Sequence, residues 1–457
     1  MYKTGILLCS LLFSLSTMAQ TRQQRLDSLF TALYHKSMFN GNVLIAERGK
    51  IVFEKSYGWA DETTRRKLST QSVFELASVS KQFTAMGIVL LQKQGKLQYQ
   101  DKITRYLPEL SFYGDVRVLD LLHHTGGLPD YMELMETHWD KTGFATNQDI
   151  VDMLAEYTPE AAFSPGEKYA YSNTGYALLG LIIERVSGQR FGAFLDTYIF
   201  KPLGMTHTLV YRSRFSPQEI PSYAYGYVQD STGRKVRPDT FGTNYYTYYL
   251  DGIVGDGMVN STTEDLLKWD RALYTDTLIN ARDKDLIFSA GKTRSGETIP
   301  YGLGWEVEHV NRIGKVLSHA GGWAGYITYI EREVDQDKTI IMLQNNSMLA
   351  TTIPVEKVRK ILYHQALRPS VILTRDELDH LTGNYADDES GLRLRIFREE
   401  DYLMAQAVGQ QPFPLDAYAG NVFVFEPAEI RLVFNTGQQT IAFSQRSNVH
   451  LTLKKEL

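Results

Sequence analysis

Short β-like apolar runs stand at two places far apart in this chain, 41–61 and 301–346, and a long helix-patterned stretch separates them. In the first, GNVLIAERGKIVFEKSYGWAD, two apolar runs flank Arg48-Gly49, a hairpin signal. In the second, YGLGWEVEHV, KVLSHAGG, AGYITYIER and KTIIMLQNN follow one another closely. From about 101 to 291 the pattern is mostly helical, interrupted by Gly/Pro turns. Strands at both ends with helices between them predict one central antiparallel sheet built from distant segments, flanked by helices and carrying a helical insertion, an α/β (α+β) class.

A helical segment over 352–365 follows, and after Leu367-Arg368-Pro369 the pattern changes. The tail holds only short alternating runs (LRLRIF, DYLMAQ, VFVFEP, IRLVFN, QTIAFS, HLTLKK) between polar turns, which suits a small all-β barrel or sandwich. At 457 residues, 43% of them hydrophobic, the chain is too long for one average domain. The expected division is a leader over 1–19, a main domain over 20–368 and a small β-barrel over 369–457.

The leader reading rests on Lys3, the apolar run 6–15 and Ser16-Thr17-Met18-Ala19, a secretory signal cut after Ala19. The run is too short for a spanning helix. Export to the periplasm or the medium is therefore expected, with no transmembrane segment in the mature chain. The single cysteine, Cys9, falls inside the leader, so the mature chain would have no disulfide and no thiol nucleophile. A net charge of −5 and the absence of basic runs interleaved with aromatics argue against nucleic acid as a partner.

Neither Gly-x-Ser-x-Gly nor His-Glu-x-x-His occurs, which leaves an α/β-hydrolase elbow and a zinc hydrolase without candidates. The sharpest motif is Ser78-Val79-Ser80-Lys81, at the head of an apolar helix predicted over 78–94 and closed by Gly95. Residues three apart share a helix face, so the Lys81 amine can reach the Ser78 hydroxyl, a poor nucleophile until a base takes its proton. Lysine is a base only when neutral, a form that burial favours. The helix N-terminus adds N–H groups for a developing oxyanion. A second Ser-x-x-Lys, Ser289 to Lys292, lies in a polar glycine-containing stretch and reads as surface.

Tyr171-Ser172-Asn173 comes next. A phenol beside an ammonium can act as base toward Ser78 and then as acid toward a leaving group. Asn173 can donate to a substrate carbonyl and accept from the lysine. Then His319-Ala320-Gly321-Gly322 falls on a predicted edge strand. Its glycine pair lets a substrate lie against the strand, with the Gly322 N–H completing an oxyanion hole with that of Ser78.

These three motifs, in this order, resemble those of the serine β-lactamase/penicillin-binding protein superfamily, and of its class C, esterase and D-peptidase branch in particular. LLHHTGGLPDY, FSPGEKYAYSNTGYALLG, GDGMVNSTTEDLLKW and YGLGW agree with that branch over roughly residues 25–365. The tail is similar to the small lipocalin-like barrel often appended there. The resemblance implies a β-lactamase/transpeptidase-like fold, Ser78, Lys81 and Tyr171 as catalytic residues, and Asn173, His319, Gly321 and Gly322 as substrate-binding residues. No metal or organic cofactor is implied. Lys141-Thr142-Gly143 and His124-Thr125-Gly126 spell the third motif too, but they precede Tyr171, so Lys141 reads as surface and His124 as a turn residue.

In resistance enzymes and transpeptidases of this superfamily the third motif usually supplies Lys and Thr to hold a substrate carboxylate. Here His319 and Ala320 stand there, one mostly neutral at pH 7 and one without a hydroxyl. The expected function is hydrolysis through a Ser78 acyl-enzyme of D-amino-acid peptides, small esters or β-lactams, with β-lactams ranked lowest. The partner implied is a small-molecule or peptide substrate, with peptidoglycan-derived peptides among the candidates. A non-catalytic ligand-binding or receptor protein on the same fold is the alternative. The stretch 240–249 (TFGTNYYTYY) reads equally as cleft lining or as core.

Overall fold

The computed structural model describes residues 20–367, 371, 373–446 and 448–456. The expected leader, with Cys9 in it, and the expected boundary at 368–369 lie outside the described residues.

The elements that build the site are α1 (Arg22–His35), β1 (Gly41–Glu47), β2 (Lys50–Tyr57), α2 (Lys81–Lys93), α3 (Asn173–Ser187) and α4 (Thr263–Ala272). They are followed by β3 (Glu306–Val310), β4 (Gly314–Trp323), β5 (Tyr326–Glu333), β6 (Lys338–Gln344) and α5 (Val355–Leu362). The six strands form one antiparallel sheet in the order β3-β4-β5-β6-β1-β2, so the two β-rich regions of the sequence join at β1 and β6. Register runs from Gly41↔Gln344 to Glu47↔Lys338. The β1–β2 turn places Arg48 at φ 51° and Gly49 at φ 72°, both left-handed as a tight hairpin requires.

Helices cover both faces of this sheet. Along β1, Leu44 and Ala46 enter a core shared with α2, α3 and α4, while Val43 and Ile45 enter a second core with α1 and α5. Burial on both faces explains why β1 and β6 read as continuous apolar runs. Helix α1 escaped the sequence reading because its N-terminal residues are polar. It is nevertheless set by a Thr21/Gln24 capping box and by Leu26, Phe30 and Leu33 at helical spacing, all buried.

The tail forms a nearly closed nine-stranded antiparallel sheet, as expected. Its edge strands, Phe413–Pro414 and Asp416–Tyr418, are separated in sequence only by Leu415. The interior, with Leu394, Leu403, Phe423, Leu432 and Leu453, is continuous with the α1/α5 core. At that junction Lys36 at the end of α1 and Lys357 of α5 (3.3 Å) both pair with Asp416. No helix among the described residues is long and apolar enough to cross a membrane.

Candidate active site

Ser78 lies in a 3-10 turn, Ala77–Ser80, and α2 begins only at Lys81; the α-helix expected from residue 78 starts one turn late. The cause is local tethering. The 258–261 segment holds Leu76 through the Val259 carbonyl (2.8 Å) and Ser80 Oγ through the Val259 N–H (3.1 Å). Thr328 of β5 donates to the Leu76 carbonyl at 2.7 Å. Between these clamps Ala77 takes φ 48°, a left-handed conformation unusual for a residue with a side chain, and Ser78 is carried on the bend. Beyond the turn α2 runs as expected, and Gly95 at φ 72° follows its end.

Lys81 is fully buried. Its amine donates to Ser78 Oγ (3.0 Å), Asn173 Oδ1 (3.0 Å) and the Asp256 carbonyl (2.8 Å), as many partners as an ammonium has N–H groups. Each acceptor has its own support. Asn173 opens α3, whose N-cap Ser172 accepts from the Gly175 N–H. Asp256 sits between Gly255, at φ 100° and pressed against Gly180 of α3, and Gly257; the Gly255 carbonyl accepts from Thr84 of α2 at 2.6 Å.

Tyr171, just ahead of the α3 cap, is 42% exposed at the cleft. Its ring centroid lies 5.0 Å from Lys81 Nζ, and its hydroxyl has no hydrogen bond among the described residues. Beneath it lies His124, which the sequence reading set aside as a turn residue. His124 does adopt φ 58°, but it is also buried and stacks on Tyr171 at 4.3 Å between ring centroids, 29° from parallel. Its Nδ1 accepts from the Ser172 N–H at 3.0 Å, which leaves the proton on Nε2. Burial, with Lys81 and His319 nearby, pushes its pKa well below the ordinary value, so no second cation competes with Lys81.

The third motif lies on β4. Only 314–318 of that strand pair with β3, so 319–323 form a local free edge inside an interior strand. Gly321 packs against the turn that carries Ser78: a Cβ there would run into the Leu76 carbonyl and Thr328 Oγ1 and come within 3.2 Å of Ser78 N. Gly322 is exposed and lines the cleft. His319 is turned inward and 2% exposed. Its Nδ1 is 2.6 Å from the Ala320 carbonyl, which only accepts, so Nε2 accepts from the Tyr301 hydroxyl at 2.8 Å. Burial and then the Lys81 charge push its pKa down to about 3. Both ring nitrogens are thus occupied by protein groups. Lys141 and the second Ser-x-x-Lys stay away from the site, with Ser289 and Lys292 exposed.

The cleft beside Ser78 has apolar walls from Leu250, Ile253, Met258 and Trp323, and polar groups from Glu75, Asn173 and Asp256. The 240–249 stretch serves both expected roles: Tyr249 is core, whereas Tyr246 packs edge-on against the wall residue Trp323 at 5.0 Å. Sequence reasoning missed Glu75, Tyr131 and Asp256. Their only signals were a carboxylate inside the apolar run before Ser78 and an aspartate between two glycines.

Residues 26–352 match the family model described as Beta-lactamase. A penicillin-binding protein from Bacillus subtilis (strain 168) is 48% identical over 329 residues, 72% of this chain and 73% of its own. A putative D-alanyl-D-alanine carboxypeptidase from Escherichia coli (strain K12) is 28% identical over 66% of this chain and 77% of its own. Among solved structures, an octameric penicillin-binding protein homologue from Pyrococcus abyssi superposes with TM-score 0.66 at 20% identity, covering 94% of this chain and 99% of that one. A D-amino acid amidase from Ochrobactrum anthropi gives TM-score 0.62 at 22% identity over 75% and 99%.

Proposed function

The chain belongs to the beta-lactamase family, and from that premise we propose that it is a serine hydrolase working through a Ser78 acyl-enzyme on amides or esters. The observation that carries this reading is the Lys81 amine 3.0 Å from Ser78 Oγ, itself held by Asn173 and the Asp256 carbonyl. A buried cation touching a hydroxyl at the mouth of a cleft serves nucleophilic catalysis and no evident structural end.

In the first step the Lys81/Tyr171 pair enters one proton short, as a neutral amine or a phenolate; Ser78 Oγ bonds to the acyl carbon, its proton passes to that pair, and the same pair returns it to the leaving amine or alcohol as the bond to carbon breaks. The oxyanion is held by the N–H groups of Ser78 and Gly322, a pairing supported by the contact of Gly321 with the nucleophile turn. Water, deprotonated by the same pair, then attacks the ester; the acid leaves and Oγ regains its proton. Asn173 orients the amine and the substrate carbonyl.

Neutral, inward-facing His319 offers no charge to a substrate carboxylate, and Ala320 offers no hydroxyl. D-Amino-acid peptides or amides and small carboxylic esters therefore rank above β-lactams. Export and a barrel domain beginning near residue 369 belong to the same reading. Hydrolysis of nitrocefin, p-nitrophenyl esters and D-Ala-D-Ala peptides by wild type and Ser78→Ala tests it. Measurable short-chain ester turnover, slow nitrocefin turnover and loss of both in the variant are expected. Fast nitrocefin turnover would overturn the reading of His319 and Ala320, and activity surviving in Ser78→Ala would remove Ser78 from the chemistry.

A further inference from the structure

Among the described residues, the cleft that holds Ser78 is lined by two carboxyl groups and, apart from Lys81 behind it, by no cation. Glu75, three residues before the nucleophile, is the more telling of the two. It is 8% exposed, and its carboxyl has no hydrogen bond and no ion pair among the described residues. Its backbone is fixed by strand pairing, Glu75↔Asn260, so the side chain is held at the cleft wall.

The charges nearest to it do not neutralise it. Arg214 is committed elsewhere, donating to Asp239 at 2.6 Å and to Asp251 at 3.2 Å. Asp251 and Asp256 are themselves acidic. Burial first, then Asp251, pushes the Glu75 pKa up to about 8, and burial also raises that of Asp256, whose one oxygen accepts from the Tyr131 hydroxyl at 2.8 Å. A carboxyl taken out of water without a partner costs free energy that nothing in the protein returns. An arriving cation would return it.

We infer that the acyl side of this cleft recognises a positively charged amine, with Glu75 as the specificity-determining residue and Asp256 adding to the negative field. The inference rests on the Ser78 reading and narrows its substrate class to amides and esters whose acyl group bears a free ammonium a few bonds from the scissile carbonyl. Amino-acid amides and peptides with a free N-terminus fit; N-acylated peptides do not. The apolar walls formed by Leu250, Ile253 and Trp323 suit the side chain of such a residue.

The test is protection of Ser78 from a fluorophosphonate probe, since it reads binding whether or not turnover follows. The competitors are phenylalaninamide (D and L), N-acetylphenylalaninamide and 3-phenylpropionamide. At least one phenylalaninamide enantiomer should protect at concentrations tenfold or more below both amine-free compounds. In Glu75→Gln, with folding checked by circular dichroism, that advantage should narrow to within threefold. Equal protection by all compounds in wild type overturns the ammonium site and needs no variant. A full advantage retained in Glu75→Gln overturns the role of Glu75. No labelling of wild-type Ser78 defeats the underlying hydrolase reading, a failure distinguishable from the other two.

Discussion

In the field of Lys81 the protein keeps two imidazoles from charging, and that choice has a measurable consequence. Folded His319 protonates only near pH 3, and folded His124 well below its ordinary value, whereas in the unfolded chain each protonates near pH 6.5. Between those limits the unfolded state binds more protons than the folded one, so stability is fully present above pH 6.5 and is lost as pH falls toward 3. Each such group contributes a slope of up to about 1.4 kcal/mol per pH unit. Urea unfolding followed from pH 7 to pH 4 should show this fall, and His319→Phe should flatten it. An unchanged slope in that variant would mean His319 is not held neutral. The same neutrality leaves Lys81 as the only cation against Ser78 among the described residues.

At the scale of elements, the site depends on β4 lying hard against the turn that carries Ser78. Gly321 is the contact, and the space for a side chain there is taken by the Leu76 carbonyl and Thr328 Oγ1. Gly321→Ala is expected to push strand and turn apart, lowering stability by about 1–3 kcal/mol and cutting the rate of Ser78 acylation tenfold or more. Thermal unfolding together with probe-labelling rate would check it; normal acylation would show that the strand can yield without disturbing the nucleophile. Much of this arrangement was legible in the sequence. Ser78 and Lys81 three apart, the Tyr171-x-Asn173 step and the 41–61 hairpin are short-range patterns; the hairpin formed, Lys81 meets Ser78 and Asn173 at 3.0 Å each, and Tyr171 reaches the cleft with its hydroxyl unbonded among the described residues. What stayed hidden was long-range. The one-turn delay of α2 comes from Val259 and Thr328, far off in sequence. The stacking of His124 under Tyr171 requires two loops to meet, and β4 is an edge only because β3 stops at Ser318. Glu75 gives no periodic signal at all.

For the whole molecule, the barrel and the α1/α5 layer share one continuous core and a half-buried junction at Asp416. All five tryptophans, Trp59, Trp139, Trp269, Trp305 and Trp323, precede the nine-stranded sheet, so tryptophan fluorescence reports the part of the chain before it while far-UV circular dichroism reports both parts. The two denaturation curves should coincide in the intact protein. Asp416→Ala, which strips Lys36 of its ion pair and leaves Lys357 with Glu426 at 2.9 Å, should lower the midpoint and separate the curves; separate curves in wild type would show a barrel that unfolds on its own. The account as a whole asserts that segments around 78, 171, 256 and 321 converge so that one serine among the many in the chain is nucleophilic, and that Lys81 makes it so. Peptide mapping by mass spectrometry after brief exposure to a fluorophosphonate addresses this directly. The predicted result is a single adduct on Ser78, formed at least about a hundredfold more slowly in Lys81→Ala. An adduct on another serine, or an undiminished rate in that variant, would contradict it.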